Sequence, residues 1–268
     1  MASLVRLGLS RDNFILDIRT GAIGTTPLKR KIDDTLMALE SRAYKQVTII
    51  TECLRDKLKL KEKKCHILPL GADELSKTDK NFDTIKLLYV GTFLSRNMHE
   101  TIFGLSKFMK EISSENINIS YDIFGFGTHD EEELVKNAIK SESLENIVTY
   151  HGRKQHHEIQ DYFDNCNIGI TYVPKVDFFE CQPPTKIFEY TNSGMFNLAT
   201  STFENKKLIF KENGVLCEDN NESFSKSLSE IYNKKDTFNS KEIRKTLELY
   251  SWDNIIHKNL KKYLESIT

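Results

Sequence analysis

A lysine and a glutamate three positions apart, Lys186 and Glu189, stand just after the pair Pro183-Pro184 and just before Gly194. A proline in the first turn of a helix loses nothing, because its missing N–H would have no intrahelical acceptor there. The first-turn amides of Thr185 and Lys186 then point outward, and with the positive helix end they form an anion site. Lys186 and Glu189 share one helix face, so a phosphate cradle has a carboxylate one turn deeper. That arrangement suits a nucleotide sugar, with its diphosphate at the helix tip and its ribose hydroxyls on the carboxylate. A solvated helix ion pair is the other reading of the same spacing, and both stay open. Gly194 is expected to close the helix in the left-handed conformation.

A sheet edge must hold such a helix. Ile168 to Val173 reads as an apolar strand, and the loop after it ends in Phe178-Phe179-Glu180-Cys181-Gln182. Strand, loop and Pro-started helix place the cradle at the carboxyl edge of an α/β sheet, where such folds bind ligands. Upstream, Phe14 to Ile18, Val47 to Ile50 and Cys65 to Leu68 read as strands. A helix from Lys29 to Lys45 is marked by Ile32, Leu36, Leu39 and Ala43. A polar linker runs from Glu74 to Asp83. A second series follows, with strands at Lys86 to Val90, Ser120 to Phe124, Ile147 to Tyr150 and Phe196 to Thr200, and Thr128-His129-Asp130-Glu131 as a helix-opening capping box. The alternation predicts an α/β protein with Rossmann-like parallel sheets covered on both faces. The final helix, from Ser251, carries Trp252, Ile255, Ile256, Leu260, Tyr263 and Leu264 on one stripe and must dock on something.

Composition narrows the class. With 268 residues, 39% of them hydrophobic, the chain can bury one large core or two ordinary ones. Thirty-eight basic residues against 39 acidic leave a net charge of −1, which argues against nucleic acid as a partner. The five cysteines are odd in number and show no Cys-x-x-Cys spacing, so free thiols in a reducing, cytoplasmic setting are expected. No apolar run reaches the length of a membrane span, though contact with a membrane surface stays open. His156-His157-Glu158 lacks further ligands at metal-site spacing, and there is neither a Walker loop nor an Asp-x-Asp pair. No resident cofactor or metal is expected.

Residues 183–201 resemble the donor-site signature of the large retaining glycosyltransferase family 4, whose fold is GT-B. Pro69-Leu70-Gly71-Ala72-Asp73 is similar to that family's interdomain turn, and Leu88-Tyr89-Val90-Gly91-Thr92-Phe93 to its first donor-domain strand. The resemblance implies that Gly91 and Thr92 adjoin the donor and that Arg96 meets the phosphates, since Asn97 replaces the usual lysine. Arginine's planar fork suits phosphate oxygens. Gly125-Phe126-Gly127 matches the family's Gly-x-Gly turn, where missing side chains admit ligand or backbone. His151-Gly152-Arg153-Lys154 resembles the loop whose backbone holds the base, with Arg153 alternatively an exposed loop cation. Glu189 takes the second glutamate of the family's Glu-x7-Glu. Glu180 stands for the first, one residue too distant, and would contact the transferred sugar.

The family also implies a division into a partial N-terminal acceptor-side domain over 1–73, a nucleotide-sugar domain over 74–250, and a final helix over 251–268 that packs back toward the N-terminal part. Only the closing βαβ portion of the N-terminal domain has a counterpart here. Arg19 takes the place of a cleft histidine, with a salt bridge to Asp17 as its structural alternative. Bare apolar faces on a partial sheet predict self-association or a separate N-terminal polypeptide. The activity implied is a metal-independent, retaining transfer from a nucleotide-diphosphate sugar to a glycan or lipid-linked acceptor in polysaccharide synthesis. Alternatives are a donor-binding half of a split transferase and a sugar-nucleotide epimerase of the same architecture.

Overall fold

The computed structural model describes residues 14–23, 26–112 and 117–267. Residues 1–13, and Gly24 of the loop expected after the first strand, lie outside the described residues. The chain forms two compact units. One comprises the residues up to Gly71 with Val176–Pro183 and the residues from Trp252 on; the other comprises Ala72–Lys175 and Pro184–Ser251.

The first unit is a βαβαβ run: β1 (Ile15–Ile18), α1 (Pro27–Ser41), β2 (Gln46–Ile49), α2 (Glu52–Lys57) and β3 (Cys65–Ile67). The sheet order is β1-β2-β3, all parallel, with Ile15 opposite Gln46 and Val47 opposite Cys65. Val47, Ile49 and Leu54 are fully buried and centre its core. Thr26 and Thr51 cap α1 and α2, their hydroxyls accepting from Lys29 and Leu54 amides, the expected use of a threonine at that position. The apolar spacing that signals α1 does not mark its buried face. Leu28, Ile32, Leu36 and Leu39 are 49–69% exposed, and among the described residues no strand pairs with the outer edge of β1.

Two distant segments complete this unit. The terminal helix, α-helical at its ends and π-helical over Ile255–Leu260, stacks Tyr263 on His66 with ring centres 4.0 Å apart. Its Asn259 lies 2.6 Å from His66 Nε2 and donates to the Ile67 carbonyl at 3.2 Å. The segment Val176–Pro183 was expected within the donor domain. It groups instead with the first unit, to which Gln182, the Cys181 carbonyl and the Cys181 sulfur are bound. Gln182 Oε1 accepts from Thr20 Oγ1 at 2.6 Å and from the Gly21 amide at 3.1 Å, and Thr51 Oγ1 donates to the Cys181 carbonyl at 2.8 Å.

Cys181 is disulfide-bonded to Cys53, with Cα atoms 5.1 Å apart. This corrects the expectation of five free thiols: α2 and the 176–183 segment pack so that both side chains share the core of the first unit. Thiol titration of the denatured, unreduced protein should find three thiols, those of Cys65, Cys166 and Cys217; five would exclude the bond. Its sequence separation is 128 residues, so reduction should cost the first unit about 4–5 kcal/mol, read from urea unfolding with and without reductant.

The second unit is a six-stranded parallel sheet in the order β6-β5-β4-β7-β8-β9. Its strands are β4 (Ile85–Thr92), β5 (Ile119–Phe126), β6 (Val148–Gly152), β7 (Ile168–Thr171), β8 (Phe196–Thr200) and β9 (Gly214–Cys217). Between them run α3 (His99–Glu111), α4 (His129–Ser141), α5 (Gln160–Asn165) and α6 (Thr185–Asn192), with α7 (Asn221–Lys234) after β9. The chain builds outward from β4 through β5 and β6, then returns to the other side of β4 with β7. The crevice at the carboxyl ends of β4 and β7 is therefore the topological switch point, the usual ligand position of an open parallel sheet. Apolar side chains fill both faces, from Leu87, Ile102 and Phe224 in one cluster to Leu88, Phe163 and Tyr190 in another.

Candidate functional site

Everything at the carboxyl edge of the second sheet is set by the ends of its strands and the helices that follow. The helix predicted after Pro183-Pro184 is α6. Pro184 caps it in extended conformation with no side-chain bond, and the Thr185 and Lys186 amides have no acceptor among the described residues. Gly194 follows in the left-handed region, φ 74°. Its amide donates to the Thr191 carbonyl at 2.9 Å and that of Met195 to Tyr190 at 2.9 Å, the paired bonds of a glycine-terminated helix.

One side chain fixes how α6 sits. Tyr190 is fully buried, and its hydroxyl accepts from the Val90 amide of β4 at 3.1 Å. Gly169 of β7 lies under the ring, so that a Cβ there would come within 2.2 Å of it. Burial raises the Tyr190 pKa well above the ordinary phenol value, so the ring is a neutral wedge between helix and sheet. Lys186 and Glu189 project from the same face and form an ion pair, with side chains 25% and 19% exposed. Of the two readings of their spacing, the structure shows the ion pair.

Across the switch point, Arg96 lies in the loop after β4. Ser95 and Asn97 on either side of it have positive φ, 54° and 50°, a conformation that costs a non-glycine residue about 1 kcal/mol or more. The loop is held by a turn from Arg96 N to Phe93 O at 2.9 Å and by Ser95 N donating to Glu131 Oε1 at 2.8 Å. Glu131 also closes the capping box of α4 with Thr128. Burial alone would raise its pKa; the Thr128 and Ser95 amides overcome that and hold it below the ordinary value. The Arg96 guanidinium reaches the Tyr89 hydroxyl, which donates to the Thr92 carbonyl at 2.7 Å. Burial pushes the Tyr89 phenol up to about 12, with Arg96 pulling the other way.

The predicted glycines face protein atoms in this structure. Gly91 and Gly125 are register partners on β4 and β5, and a Cβ on Gly125 would come within 2.2 Å of the Gly91 carbonyl. At Gly127 it would meet Glu131 Oε2 at 2.6 Å. Their small size thus serves strand approach and the Glu131 anchor, whatever they do for a ligand. Thr92 is exposed at the end of β4. Arg153 follows β6, its guanidinium 4.6 Å above the centre of the Phe126 ring. His151, one residue before Gly152, lies 2.7 Å from Asp122 and stacks on Phe124, which pins the strand end that presents Arg153.

Glu180 belongs to the first unit. It ends the short helix Asp177–Glu180 in the first unit, one residue before the disulfide. Arg19 also belongs to the first unit, paired with Asp17 at 2.9 Å and donating to the Leu68 carbonyl at 3.0 Å, its structural alternative. Among the described residues no group of His, Cys, Asp and Glu is arranged to hold a metal ion, and no helix is long and apolar enough to cross a membrane. Sequence reasoning missed Tyr89, Tyr190 and Glu131. A tyrosine directly after Glu189 was visible, but nothing local tells that its hydroxyl meets a strand a hundred positions away.

No protein-family model and no curated protein sequence matches the chain. Solved structures do. Sucrose-phosphate synthase from Thermosynechococcus elongatus is similar over 100% of this chain and 71% of its own, with a TM-score of 0.75 at 14% identity. Anabaena HepE, solved with UDP and glucose, gives a TM-score of 0.73 at 13% identity, covering 94% of this chain and 71% of its own. S. aureus TarM, solved with UDP and α-GlcNAc-glycerol, gives 0.70 at 15% identity over 95% of this chain and 50% of its own. The two parallel sheets are thus those of the GT-B glycosyltransferase fold, the architecture expected from the sequence. The chain spans from half to about seven-tenths of the length of these proteins.

Proposed function

We propose that this protein is a glycosyltransferase that binds a nucleoside-diphosphate sugar at the carboxyl edge of its second sheet. The observation that carries this is the pair of open amides at Thr185 and Lys186, set at the switch point beside the Lys186–Glu189 pair. HepE, TarM and the pneumococcal O-GlcNAc transferase GtfA were each solved with UDP, which favours uridine diphosphate as the first nucleotide to try.

In this reading the diphosphate meets the α6 amides and Lys186, and Glu189 turns to the ribose hydroxyls. Arg96 approaches the diphosphate from its strained loop. As the sugar–phosphate bond breaks, negative charge grows on the leaving diphosphate. Fixed donors and cations at that point stabilise the transition state more than the ground state. These groups meet the charge that a metal ion meets in other transferases, hence metal-independent transfer. Retention of anomeric configuration and a glycan or lipid-linked acceptor in polysaccharide synthesis belong to the same proposal.

Calorimetry of the full chain with UDP and UDP-sugars, in the presence of EDTA, is the test. Binding of uridine diphosphate in the micromolar range is expected. No heat with uridine, guanosine or adenosine diphosphates would falsify the donor site itself. Binding that requires a divalent cation would leave the site standing and remove metal independence.

A further inference from the structure

A cavity of about 1000 Å³ lies in the first unit between α1 and the chain that follows α2. Val47 and Leu58, both nearly inaccessible, are among its lining residues. Seven basic side chains line it against two carboxylates, in a chain whose net charge is only −1. Both carboxylates are engaged: Asp34 accepts from the Ala22 amide at 2.9 Å, and Asp177 pairs with Lys57 at 3.0 Å. Lys31, Arg42, Lys59 and Lys61 have no ion-pair partner among the described residues. Gathering like charges around one concavity works against compactness and concentrates anions inside it.

Lys59 supplies an independent sign. It stands just past the end of α2, where the Leu60 amide donates to Arg55 O and the Lys59 amide to Asp56 O, each at 3.0 Å. That double bond pattern needs a left-handed residue, and glycine is the usual one. Here the position is held by a lysine at φ 54°. A glycine would relieve the backbone; the lysine that stands there instead brings its side chain to the cavity lining.

We propose that this cavity is a binding site for a multiply charged, phosphate-bearing ligand, separate from the nucleotide site on the second sheet. Its volume is that of a small-molecule pocket, and its charge calls for several phosphate oxygens. The proposal does not depend on the donor reading.

The test uses inorganic tripolyphosphate in calorimetry, and flotation with phosphatidylcholine vesicles with or without phosphatidylglycerol. Two variants accompany the wild type: Lys59→Gly, and the triple Lys31→Ser, Lys59→Ser, Lys61→Ser. Lys59→Gly should raise the thermal midpoint while weakening tripolyphosphate about tenfold, the loss of one charged contact. A residue with only a structural role would not move the two in opposite directions. The triple variant should abolish binding. Tripolyphosphate binding without vesicle binding identifies a soluble ligand. Binding only to phosphatidylglycerol vesicles, lost in the triple variant, identifies a lipid head group. If neither probe binds, or the triple variant binds as the wild type does, the anion site is not here and the proposal falls.

Discussion

Gly125→Ala is expected to destabilise the second unit by about 3 kcal/mol, a large effect for a single methyl group. The added carbon would stand 2.2 Å from the Gly91 carbonyl oxygen and 2.7 Å from the Phe93 ring. A flexible side chain could swing aside. A backbone carbonyl has less freedom, since Gly91 is held opposite Gly125 in the β4–β5 ladder. The ends of β4 and β5 must therefore separate where the Arg96 loop begins, and UDP affinity should fall together with stability. Gly152→Ala is the internal comparison. Its φ is 69° and nothing lies within 4 Å of a new Cβ, so only the left-handed backbone cost of about 1–2 kcal/mol applies. Urea unfolding of both variants decides; equal losses would mean that close packing at Gly125 is not what the site depends on.

Exchanging Lys186 and Glu189, as Lys186→Glu with Glu189→Lys, should leave stability within about 0.5 kcal/mol of wild type. The ion pair is kept, a helix pair at this spacing contributes only ~0.2–0.5 kcal/mol, and an acid in the first turn suits the helix end. UDP binding should nonetheless weaken about 100-fold, because a carboxylate would then face the diphosphate and an ammonium the ribose. Stability separates the two readings of this pair poorly, and affinity separates them well. Unchanged calorimetric affinity would reduce Lys186 and Glu189 to a surface ion pair and withdraw them from the site.

Much of this architecture is legible in the sequence because its signals are local. Apolar runs mark the strands, Thr128 with Glu131 announces α4, and Gly194 marks the end of α6. Lys186 and Glu189 could be placed on one face by spacing alone. Spacing cannot say which partner each prefers, and in the ligand-free protein they choose one another. The strained residues around Arg96 left no trace, since neither Ser95 nor Asn97 is the glycine that advertises a left-handed backbone. The exposed stripe of α1 shows a different limit: periodicity reveals that Ile32, Leu36 and Leu39 share a face, not that the face is covered. Hardest of all was the segment from Val176 to Pro183. Its membership in the first unit rests on Cys53, Thr51 and Thr20, more than a hundred positions upstream, and no pattern inside eight residues points to partners at that range.

The first unit is assembled from three stretches of chain, the last of them at the carboxyl terminus. A small sheet needs its apolar face covered to be stable, and here Tyr263 and Asn259 come to His66 and Ile67. On the ribosome, at roughly 5–20 residues per second, the six-stranded unit can close while the opening βαβαβ run still waits. The opening βαβαβ run is therefore made before the six-stranded unit and completed after it, and its Cys53 thiol stays accessible to oxidants until Cys181 arrives.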